Sequence, residues 1–478
     1  MNNQFQEFKL SEEIISALSI LGYVEPTEIQ KEIIPYGLEG RDIVAGSETG
    51  SGKTAAFAIP LCEAAVWEDN LPGALVLEPT RELTVQVKEE IFHIGRNKRL
   101  KVPDVFGGFP IDKQIRTLKQ KSHIVVGTPG RVLDHIDRGS LILSGIKYLV
   151  IDEADLMLDM GFIDEVSAII ESIPEKPVIM LFSATLDHSL ERLVKKYMIN
   201  PYRFQIVSDT KTAVNVRQQL YEVPADDKYD VFLSVLKKEN PDSAMVFCGT
   251  REMVNVLCRM LRKDGVRCGM IHGEIEQQDR LRTIEGFRDG KFRYLIATEV
   301  AARGIDFSNL SHVFNYDFPT GKEAYVHRIG RTGRNGQSGK AISFVCESDQ
   351  KMRGFVEEYI HLQIEVVPIP DPETLDDTAF FLRQKETVKR GPRKGAGFKK
   401  TITKLSIGGG KKSKMRASDI VGTICSLPDM TPEDIGIIDV RESLTYVEIL
   451  NGKGDMVLEA LQNKTIKGKS RKVQRTKG

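Results

Sequence analysis

Residues 47–54 read Ser-Glu-Thr-Gly-Ser-Gly-Lys-Thr, between a short apolar run and a helical pattern. Glycines let such a loop curl so that several backbone N–H groups point at one spot, and the following helix N-terminus adds positive partial charge. The pattern predicts a loop that binds a polyphosphate, in which Lys53 reaches the terminal phosphates and the Thr54 hydroxyl ligates Mg²⁺. Ser47 stands where the usual motif has Gly. A flexible turn before an ordinary helix is the alternative.

We call residues 47–54 the phosphate loop. The residues predicted to bind the nucleotide there are Ser47, Glu48, Thr49, Gly50, Ser51, Gly52, Lys53 and Thr54.

The composition, with 41% hydrophobic and 28% charged residues among 478, is ordinary for soluble globular domains, and the length predicts about two to four of them. No apolar run approaches the ~20 residues that span a bilayer, and the polar start does not resemble a signal peptide. We therefore expect a cytoplasmic protein that does not enter a membrane. The six cysteines form no CxxC pair, which favours reduced core thiols over the alternative of a metal site.

The formal net charge of zero hides an asymmetry between the two ends of the chain. Residues 383–478 contain 22 Lys and Arg against 10 Asp and Glu, whereas the first 382 residues contain 45 against 57. A basic tail behind an acidic body favours a polyanionic partner held by the tail. A solubilising, disordered end is the alternative.

Two series of short apolar runs alternate with helical stretches, which predicts two α/β domains with parallel sheets buried on both faces. We expect these domains at 1–206 and 218–366, with a nucleotide cleft between them. Loops that carry function should follow the carboxyl ends of the strands. The predicted strands are 42–45, 73–78, 123–127, 148–152 and 178–183, then 219–223, 244–248, 267–271, 294–297, 312–315 and 339–345.

The last quarter of the chain has a different pattern. Residues 367–402 predict a basic, flexible linker, because Pro, acidic residues and then Lys, Arg and Gly replace the apolar runs. Residues 403–478 alternate as β-α-β-β-α-β, the split order of a ferredoxin-like domain that RNA-recognition modules share.

Two acidic residues follow the apolar strand Tyr-Leu-Val-Ile at 148–151. Asp152 in that position can hold Mg²⁺ opposite Thr54, and Glu153 can polarise the attacking water. Phosphoryl transfer needs both functions, because its catalysis is mostly positioning and charge neutralisation. An acidic cap at the end of a strand is the alternative.

Residues 327–334 read His-Arg-Ile-Gly-Arg-Thr-Gly-Arg, an unusual concentration of arginine and glycine. Arg331 and Arg334 suit arginine fingers that reach a γ-phosphate across the domain cleft. A patch that binds the RNA backbone is the alternative interpretation.

Together these stretches resemble the DEAD-box family of ATP-dependent RNA helicases, because Asp-Glu-Ala-Asp at 152–155 occurs with a long series of further motifs in family order. The resemblance covers residues 1–365 and implies two tandem RecA-like domains that close on ATP and RNA. It also implies that Gln30 reads adenine, that Phe5 stacks on it, and that Asp306 contacts the ribose. One departure is Glu299, where many members have Asp.

Further roles follow from the same resemblance, and the residues fall into three groups. Catalysis would involve Lys53, Asp152, Glu153, Arg331 and Arg334, with Thr54 and Asp152 at the Mg²⁺ ion. Coupling of hydrolysis to strand separation would involve Asp155, Ser183, Thr185 and His327. RNA contacts would come from Pro79, Thr80, Arg81, Gly107, Gly108, Thr128, Pro129, Arg131, Thr250, Gly273 and Thr298.

Residues 403–478 resemble the C-terminal RNA-binding domain of the bacterial DbpA-type (YxiN-type) subgroup, which recognises a hairpin of 23S ribosomal RNA. Only Tyr446 and Val447 remain of one stacking signature, and Ser406 replaces an aromatic residue in the other. Lys404 belongs to a set of basic residues that offers a second surface for RNA. A protein-binding module with a solvated basic rim is the alternative.

These observations predict an α/β protein with two RecA-like domains and a small RRM-like domain, acting as an RNA-stimulated ATPase and local RNA helicase. ATP and Mg²⁺ are the expected cofactors, and 23S rRNA in pre-50S ribosomal particles is the expected partner. The alternatives are a general DEAD-box helicase, an ATP-controlled RNA clamp, and a DNA helicase, which the Asp-Glu-Ala-Asp motif disfavours. The sequence leaves the oligomeric state open.

Overall fold

The computed structural model describes residues 3–46, 51–205, 215–302, 305, 307, 310–333, 338–388, 395, 397–398 and 402–476. The first sheet contains seven parallel strands in the order β3-β4-β2-β5-β6-β1-β7. Its strands are β1 (Ile43–Gly46), β2 (Ala74–Leu77), β3 (Asp104–Val105), β4 (Ile124–Gly127), β5 (Tyr148–Ile151), β6 (Val178–Ser183) and β7 (Tyr202–Gln205).

The second sheet also contains seven parallel strands, in the order β10-β11-β9-β12-β13-β8-β14. This order repeats that of the first sheet strand for strand. Its strands are β8 (Val216–Glu222), β9 (Ala244–Cys248), β10 (Cys268–Ile271), β11 (Tyr294–Thr298), β12 (His312–Asn315), β13 (Gly339–Val345) and β14 (Glu365–Val366).

Helices cover both faces of each parallel sheet, so successive strand residues enter separate cores. In β2, for example, Val76 belongs to one core cluster while Leu75 and Leu77 belong to the other. This explains the nearly continuous apolar runs in the sequence. The helices of the first domain are α1 (Glu12–Ile20), α2 (Glu28–Leu38), α3 (Lys53–Ala64), α4 (Arg81–Ile94), α5 (Ile111–Leu118), α6 (Pro129–Asp137), α7 (Ala154–Asp159), α8 (Ile163–Ser172) and α9 (His188–Tyr197).

The helices that follow along the chain belong to the second domain and to the segment behind it. They are α10 (Lys228–Glu239), α11 (Arg251–Lys263), α12 (Gln277–Arg288), α13 (Glu299–Ala302), α14 (Lys322–Ile329), α15 (Gln350–Ile360) and α16 (Asp377–Lys385). Short 3₁₀ helices lie at Gln4–Phe8, Glu347–Asp349, Pro372–Thr374, Lys411–Ser413 and Pro432–Asp434.

The third domain has a four-stranded antiparallel sheet in the order β16-β17-β15-β20. Its strands are β15 (Thr403–Gly408), β16 (Ile435–Val440), β17 (Leu444–Ile449) and β20 (Val473–Arg475), and its helices are α17 (Ala417–Cys425) and α18 (Gly454–Gln462). A separate hairpin joins β18 (Thr465–Ile466) to β19 (Lys469–Ser470). The predicted fold class, with two parallel-sheet domains and a split β-α-β-β-α-β domain, is confirmed.

Two features differ from the sequence prediction. The strands β3, β7 and β14 lie at sheet edges, and their short, partly polar sequences gave no apolar signal. Helix α16 lies inside the segment predicted to be a flexible linker, where Phe380 is buried in the core of the second domain. The Gln384 side chain there donates a hydrogen bond to the Tyr294 hydroxyl, with 3.1 Å between the heavy atoms. The domain boundaries themselves remain predictions.

All six cysteines are free thiols, as predicted. No α-helix in the described part of the chain combines the length and apolar character that crossing a bilayer would require.

Candidate nucleotide and RNA site

The described end of the phosphate loop is held by residues at the N-terminus of α2. Gly52 has φ of 97°, a left-handed conformation that favours glycine, and a Cβ atom there would lie 2.5 Å from Gln30 Nε2. Gln30 Nε2 donates to the Gly52 carbonyl oxygen at 3.2 Å, and the Thr27 hydroxyl donates to the Ser51 carbonyl oxygen at 2.9 Å. Gln30, predicted to read adenine, is therefore bonded to the loop itself in this structure.

Phe5 lies in the apolar core of the first domain. Its ring is fully buried and makes edge contacts with Phe8 and Tyr23, each at 5.9 Å between ring centroids. The predicted stacking of Phe5 on adenine would need a face that this packing does not expose.

Lys53 begins α3 and lies in a buried ionic cluster with the two predicted catalytic acids. Its Nζ atom is 2.8 Å from Glu153 Oε1 and 3.9 Å from Asp152 Oδ1. Glu153 has φ of 49° and ψ of 50°, a left-handed conformation that is strained for a residue with a side chain. This backbone turn directs Glu153 towards Lys53, and the Glu153 amide donates to Asp152 Oδ1 at 2.9 Å.

Burial sets the protonation of this cluster. It raises the pKa of Asp152 to about 7, with Lys53 opposing and Glu153 reinforcing the shift. Burial alone would lower the pKa of Lys53, but the Glu153 and Asp152 carboxylates outweigh it and the pKa lies above its ordinary value. Lys53 is therefore a permanent cation in the cluster, ready to face phosphate oxygens.

Two side chains at the site offer oxygen donors, the ligand atoms that Mg²⁺ prefers. Thr54 offers a half-buried hydroxyl and Asp152 a buried carboxylate. Within the described residues, no group of three or more His, Cys, Asp or Glu could hold a metal by itself. One carboxylate, one hydroxyl and the phosphates of a nucleotide form the kind of site in which Mg²⁺ is bound together with its substrate. The predicted Thr54 and Asp152 fit this role.

Glu78 is a buried acid that the sequence reasoning did not single out. It follows β2 directly, beside the end of β5 that Asp152 follows, and neither of its carboxyl oxygens has a hydrogen-bond partner. Burial, reinforced by Asp152 and Glu153 and opposed by Lys53, raises the pKa of Glu78 well above its ordinary value. A polar residue inside the apolar run 73–78 was the available signal.

The predicted coupling residues of the first domain lie together. Asp155 Oδ2 accepts hydrogen bonds from the Ala184 and Thr185 amides, each at 3.1 Å, and from the Thr185 hydroxyl at 3.3 Å. The Ser183 hydroxyl accepts from the Asp155 amide at 3.2 Å. The Asp-Glu-Ala-Asp turn is thereby fastened to the loop that follows β6.

The coupling residue predicted in the second domain lies elsewhere. His327 is exposed on α14 and makes no hydrogen bond or ion pair with Asp155, both being described residues. Arg331 is buried, and its guanidinium donates to the Ile305 carbonyl oxygen at 3.1 Å. Ser47, Glu48, Thr49, Gly50, Asp306 and Arg334 fall outside the described residues, so their predicted roles stay predictions.

Several predicted RNA-contact residues stand where a helix begins at the carboxyl edge of a sheet. Thr80 caps α4 and Thr250 caps α11, and each hydroxyl accepts a helix amide hydrogen bond, at 3.3 and 3.1 Å. Thr128 precedes α6, with Pro129 in its first turn. Helix N-termini with free amides attract phosphate groups. Thr298 ends β11, and Gly273 is an exposed residue after β10.

Two arginines that were predicted to contact RNA have guanidinium groups that contact other residues of the protein in this structure. The Arg81 guanidinium packs over Gly107 and Gly108, where a Cβ on Gly108 would lie 2.5 Å from Arg81 Nη1. Arg131 donates to the Phe109 carbonyl oxygen at 3.1 Å and to the Gln114 side chain at 2.9 Å. Pro79 and these two glycines lie in the same group of loops at the end of the first sheet.

A bridge between the two parallel-sheet domains joins these loops to α12. Glu82 is buried, its Oε1 accepts a hydrogen bond from Gln277 Nε2 at 2.8 Å, and the same oxygen lies 3.0 Å from Arg280 Nε in an ion pair. Arg81 Nη1 donates to Gln277 Oε1 at 3.2 Å. No local pattern in the sequence indicates that these partners, almost 200 positions apart, meet in the fold. The contacts bring the predicted RNA loops of both domains onto one surface.

In the third domain, Tyr446 lies on the open sheet face opposite Ser406. The Arg441 guanidinium carbon is 4.7 Å, and Lys404 Nζ 5.6 Å, from the centroid of its ring. Cations therefore already contact the ring that was predicted to stack on a base.

With this geometry established, comparisons with known proteins identify the class. A DEAD/DEAH box helicase family model matches residues 27–193, a helicase conserved C-terminal domain model matches 227–336, and a DbpA RNA binding domain model matches 404–475. The chain belongs to the DEAD-box family of RNA helicases, and its third domain is of the DbpA type.

Individual relatives agree with this assignment. The chain is 49% identical over 475 residues, 99% of both chains, to the ATP-dependent RNA helicase DbpA of Bacillus subtilis. It is 40% identical to the DEAD-box ATP-dependent RNA helicase CshA of the same organism, over 82% of this chain and 78% of that one. Among solved structures, Saccharomyces cerevisiae Dbp5 bound to RNA and ADP BeF3 matches with a TM-score of 0.70 and 32% identity, covering 80% of this chain and 99% of that one.

Proposed function

We propose that this RNA helicase is an RNA-stimulated, Mg²⁺-dependent ATPase that melts short duplexes of 23S rRNA during assembly of the large ribosomal subunit in the cytoplasm. The observation that carries the ATPase is the buried cluster of Lys53, Asp152 and Glu153, continued by the contacts of Asp155 with residues 183–185.

In this proposal Lys53 exchanges its carboxylate partners for the phosphates of ATP. Glu153, released from the 2.8 Å contact, then takes a proton from the attacking water. Thr54 and Asp152 hold Mg²⁺, which supplies charge neutralisation when it is bound. Arg331 would need to leave the Ile305 carbonyl oxygen to reach a γ-phosphate.

Two sets of contacts would couple ATP hydrolysis to the binding of RNA. Asp155 connects the catalytic turn to the loop after β6, and the bridge of Glu82, Gln277 and Arg280 connects the RNA loops of the two domains. A change at the nucleotide would therefore alter the surface that grips a strand. Contacts with helix N-termini read phosphate rather than sequence, so this part of the protein would not choose its RNA.

The choice of RNA would fall to the third domain. Support comes from the DbpA RNA binding domain match over 404–475 and from exposed cations in two neighbouring segments, 411–416 and 464–472. These segments touch where Lys467 Nζ donates to the Lys414 carbonyl oxygen at 2.6 Å. Clustered cations bind a phosphate backbone by releasing its counterions.

ATPase assays with equal masses of 23S rRNA fragments and of unrelated RNA test this proposal. We expect stimulation by one rRNA fragment at concentrations at least about tenfold lower than by unrelated RNA, a specificity difference of about 1.4 kcal/mol or more. Charge reversal of Lys467 should reduce this difference, whereas reversal of exposed Lys238 on α10 should not. Equal stimulation by all RNAs would leave a general DEAD-box helicase.

An RNA clamp controlled by ATP is a second candidate, favoured by the bridge at Glu82, which joins the two domains through protein side chains. Displacement of a short labelled strand separates the two functions. A helicase releases the strand with each round of hydrolysis, whereas a clamp hydrolyses ATP and retains the duplex.

A further inference from the structure

The third domain contacts the first helicase domain through a basic loop, residues 95–101, between α4 and β3. Arg96 Nη2 lies 2.9 Å from Glu448 Oε1, and Lys101 Nζ donates to the Ile438 carbonyl oxygen at 3.3 Å. Arg99 donates to the Pro432 carbonyl oxygen. Three of the four cations of this loop therefore have acceptors in the third domain, whereas Lys98 donates to the Glu63 carbonyl oxygen of its own domain.

The ion pair at the centre of this contact is shielded from water. The Arg96 and Glu448 side chains are 14% and 10% exposed, in contrast to the pair of Arg282 and Asp279, which are 73% and 59% exposed. The Arg96 guanidinium also lies 5.2 Å from the centroid of the buried Phe398 ring. Reversing one partner of such a shielded pair costs more free energy than reversing one partner of an exposed pair, because the remaining charge is left uncompensated away from water.

Glu448 lies on the open face of the third sheet. Its neighbours Val447 and Ile449 enter the core of the domain, so Glu448 points to the opposite side, as does Tyr446. Asp439 stands directly across from Tyr446 in β16. RNA-recognition modules use this face to stack bases. Here Asp439 Oδ2 is paired with Arg441 Nε at 2.8 Å, and Lys404 lies across from Glu448 in the sheet. Glu448 is the carboxylate of this face that pairs with a cation of loop 95–101.

We propose that the open sheet face of the third domain is a docking surface for loop 95–101, and that it fixes the orientation of the RNA-recognition domain relative to the helicase domains. Helix α4 begins at the carboxyl edge of the first sheet, so the loop behind it lies at the opposite edge. The docked domain thus leaves the nucleotide and RNA loops uncovered. The docking does not depend on the proposed rRNA function, but its consequence for rRNA does.

Amide hydrogen exchange of the full chain without RNA tests the docking. We expect Glu448→Arg and Arg96→Glu each to raise exchange in residues 96–101 by about five- to tenfold, because local opening becomes easier. The double swap should restore exchange to within about twofold, since it rebuilds the pair in reverse. Glu459→Arg, the same change at an exposed position of α18, is the matched control.

Two outcomes would overturn the proposal. One is equal exchange of residues 96–101 in Glu448→Arg and Glu459→Arg. The other is single-variant loosening that the double swap leaves unrepaired. Exchange within β5 and β17 shows in the same data whether each domain stays folded, so unfolding of a single variant cannot imitate undocking.

A second measurement connects docking to RNA. In Glu448→Arg, affinity for an isolated 23S rRNA hairpin should stay within about twofold, while unwinding of a duplex joined to that hairpin should fall about threefold or more, because orientation is lost. A rise in hairpin affinity to the same extent as in Glu459→Arg fits a general charge effect and leaves docking intact. A larger rise, specific to Glu448→Arg, would show that the face binds RNA and would refute docking.

Discussion

The two parallel sheets have the same strand order, yet the acidic residues at their carboxyl edges differ in how completely they are paired. In the second domain, Asp317 follows the central strand β12 and is fully paired, with Oδ1 2.7 Å from Lys228 Nζ and Oδ2 2.8 Å from the Gly249 amide nitrogen. In the first domain, Asp152 follows β5 with a cation 3.9 Å away, and Glu78 beside it has no partner.

This difference separates a structural edge from a reactive one. Charges that are paired within the protein stabilise a fold and have little left to offer a ligand. Acidic groups that are buried without full pairing raise the free energy of the folded state, and an incoming cation can relieve this cost. The same sheet therefore has a fully paired acid at its central strand in one domain, and incompletely paired acids in the other, where we propose that ATP is hydrolysed.

The largest expected effect is at Glu153. Replacement by Gln removes the base while keeping its shape, so kcat for ATP hydrolysis should fall about 10²- to 10⁴-fold with little change in KM. Steady-state ATPase assays with saturating RNA measure this. Glu175→Gln, the same chemical change at an exposed loop position, is the control and should retain full turnover. Full turnover in Glu153→Gln would remove Glu153 from the mechanism.

At the paired edge, Asp317→Asn should cost stability rather than chemistry. Loss of the ion pair with Lys228 and of a charged acceptor for Gly249 should lower the free energy of unfolding of the second domain by about 1–2 kcal/mol. Hydrogen exchange of β9 and β12 reports this domain separately. Asp279→Asn, at an exposed pair, should change it by less than about 0.5 kcal/mol. If hydrogen exchange of β12 is unchanged in Asp317→Asn, the pairing of Asp317 does not stabilise the second domain, and the proposed difference between the two edges is wrong.

At the unpaired edge, Glu78→Gln should stabilise the first domain by about 1 kcal/mol at pH 8, because a buried carboxylate without a hydrogen-bond partner is replaced by an amide that carries no charge. The raised pKa gives this gain a pH dependence. Between the ordinary and the raised pKa, the unfolded chain releases a proton that the folded chain keeps, so wild-type stability falls as pH rises. The gain should therefore be larger at pH 8 than at pH 5.

Fluorescence of Trp67, the single tryptophan, follows unfolding of the first domain in denaturant for this comparison. Glu89→Gln, at an exposed position of α4, should leave stability unchanged at both pH values. A loss of stability in Glu78→Gln would mean that the carboxyl group has a favourable partner.

Much of the fold was predictable because its signals are local. Apolar runs marked the central strands of both sheets, and the alternation behind residue 403 marked the split third domain. The short edge strands β3, β7 and β14 were not predicted, because a strand at a sheet edge requires little apolar character. Helix α16 was not predicted either, because only the packing of Phe380 in the core distinguishes this segment from a polar linker.

The sequence by itself determined which chemical groups the candidate site contains. A loop with Lys53, a strand ending in Asp152 and Glu153, and the Ser183–Thr185 turn are local patterns whose backbone geometry follows from a few residues. Tertiary structure alone decided what these groups touch. Local patterns did not indicate the strained turn at Glu153 or the lack of a partner for Glu78. They also did not relate Glu82 to Arg280, or Arg96 to Glu448, which form ion pairs between domains. Burial and pairing depend on distant neighbours, which only the folded chain brings together.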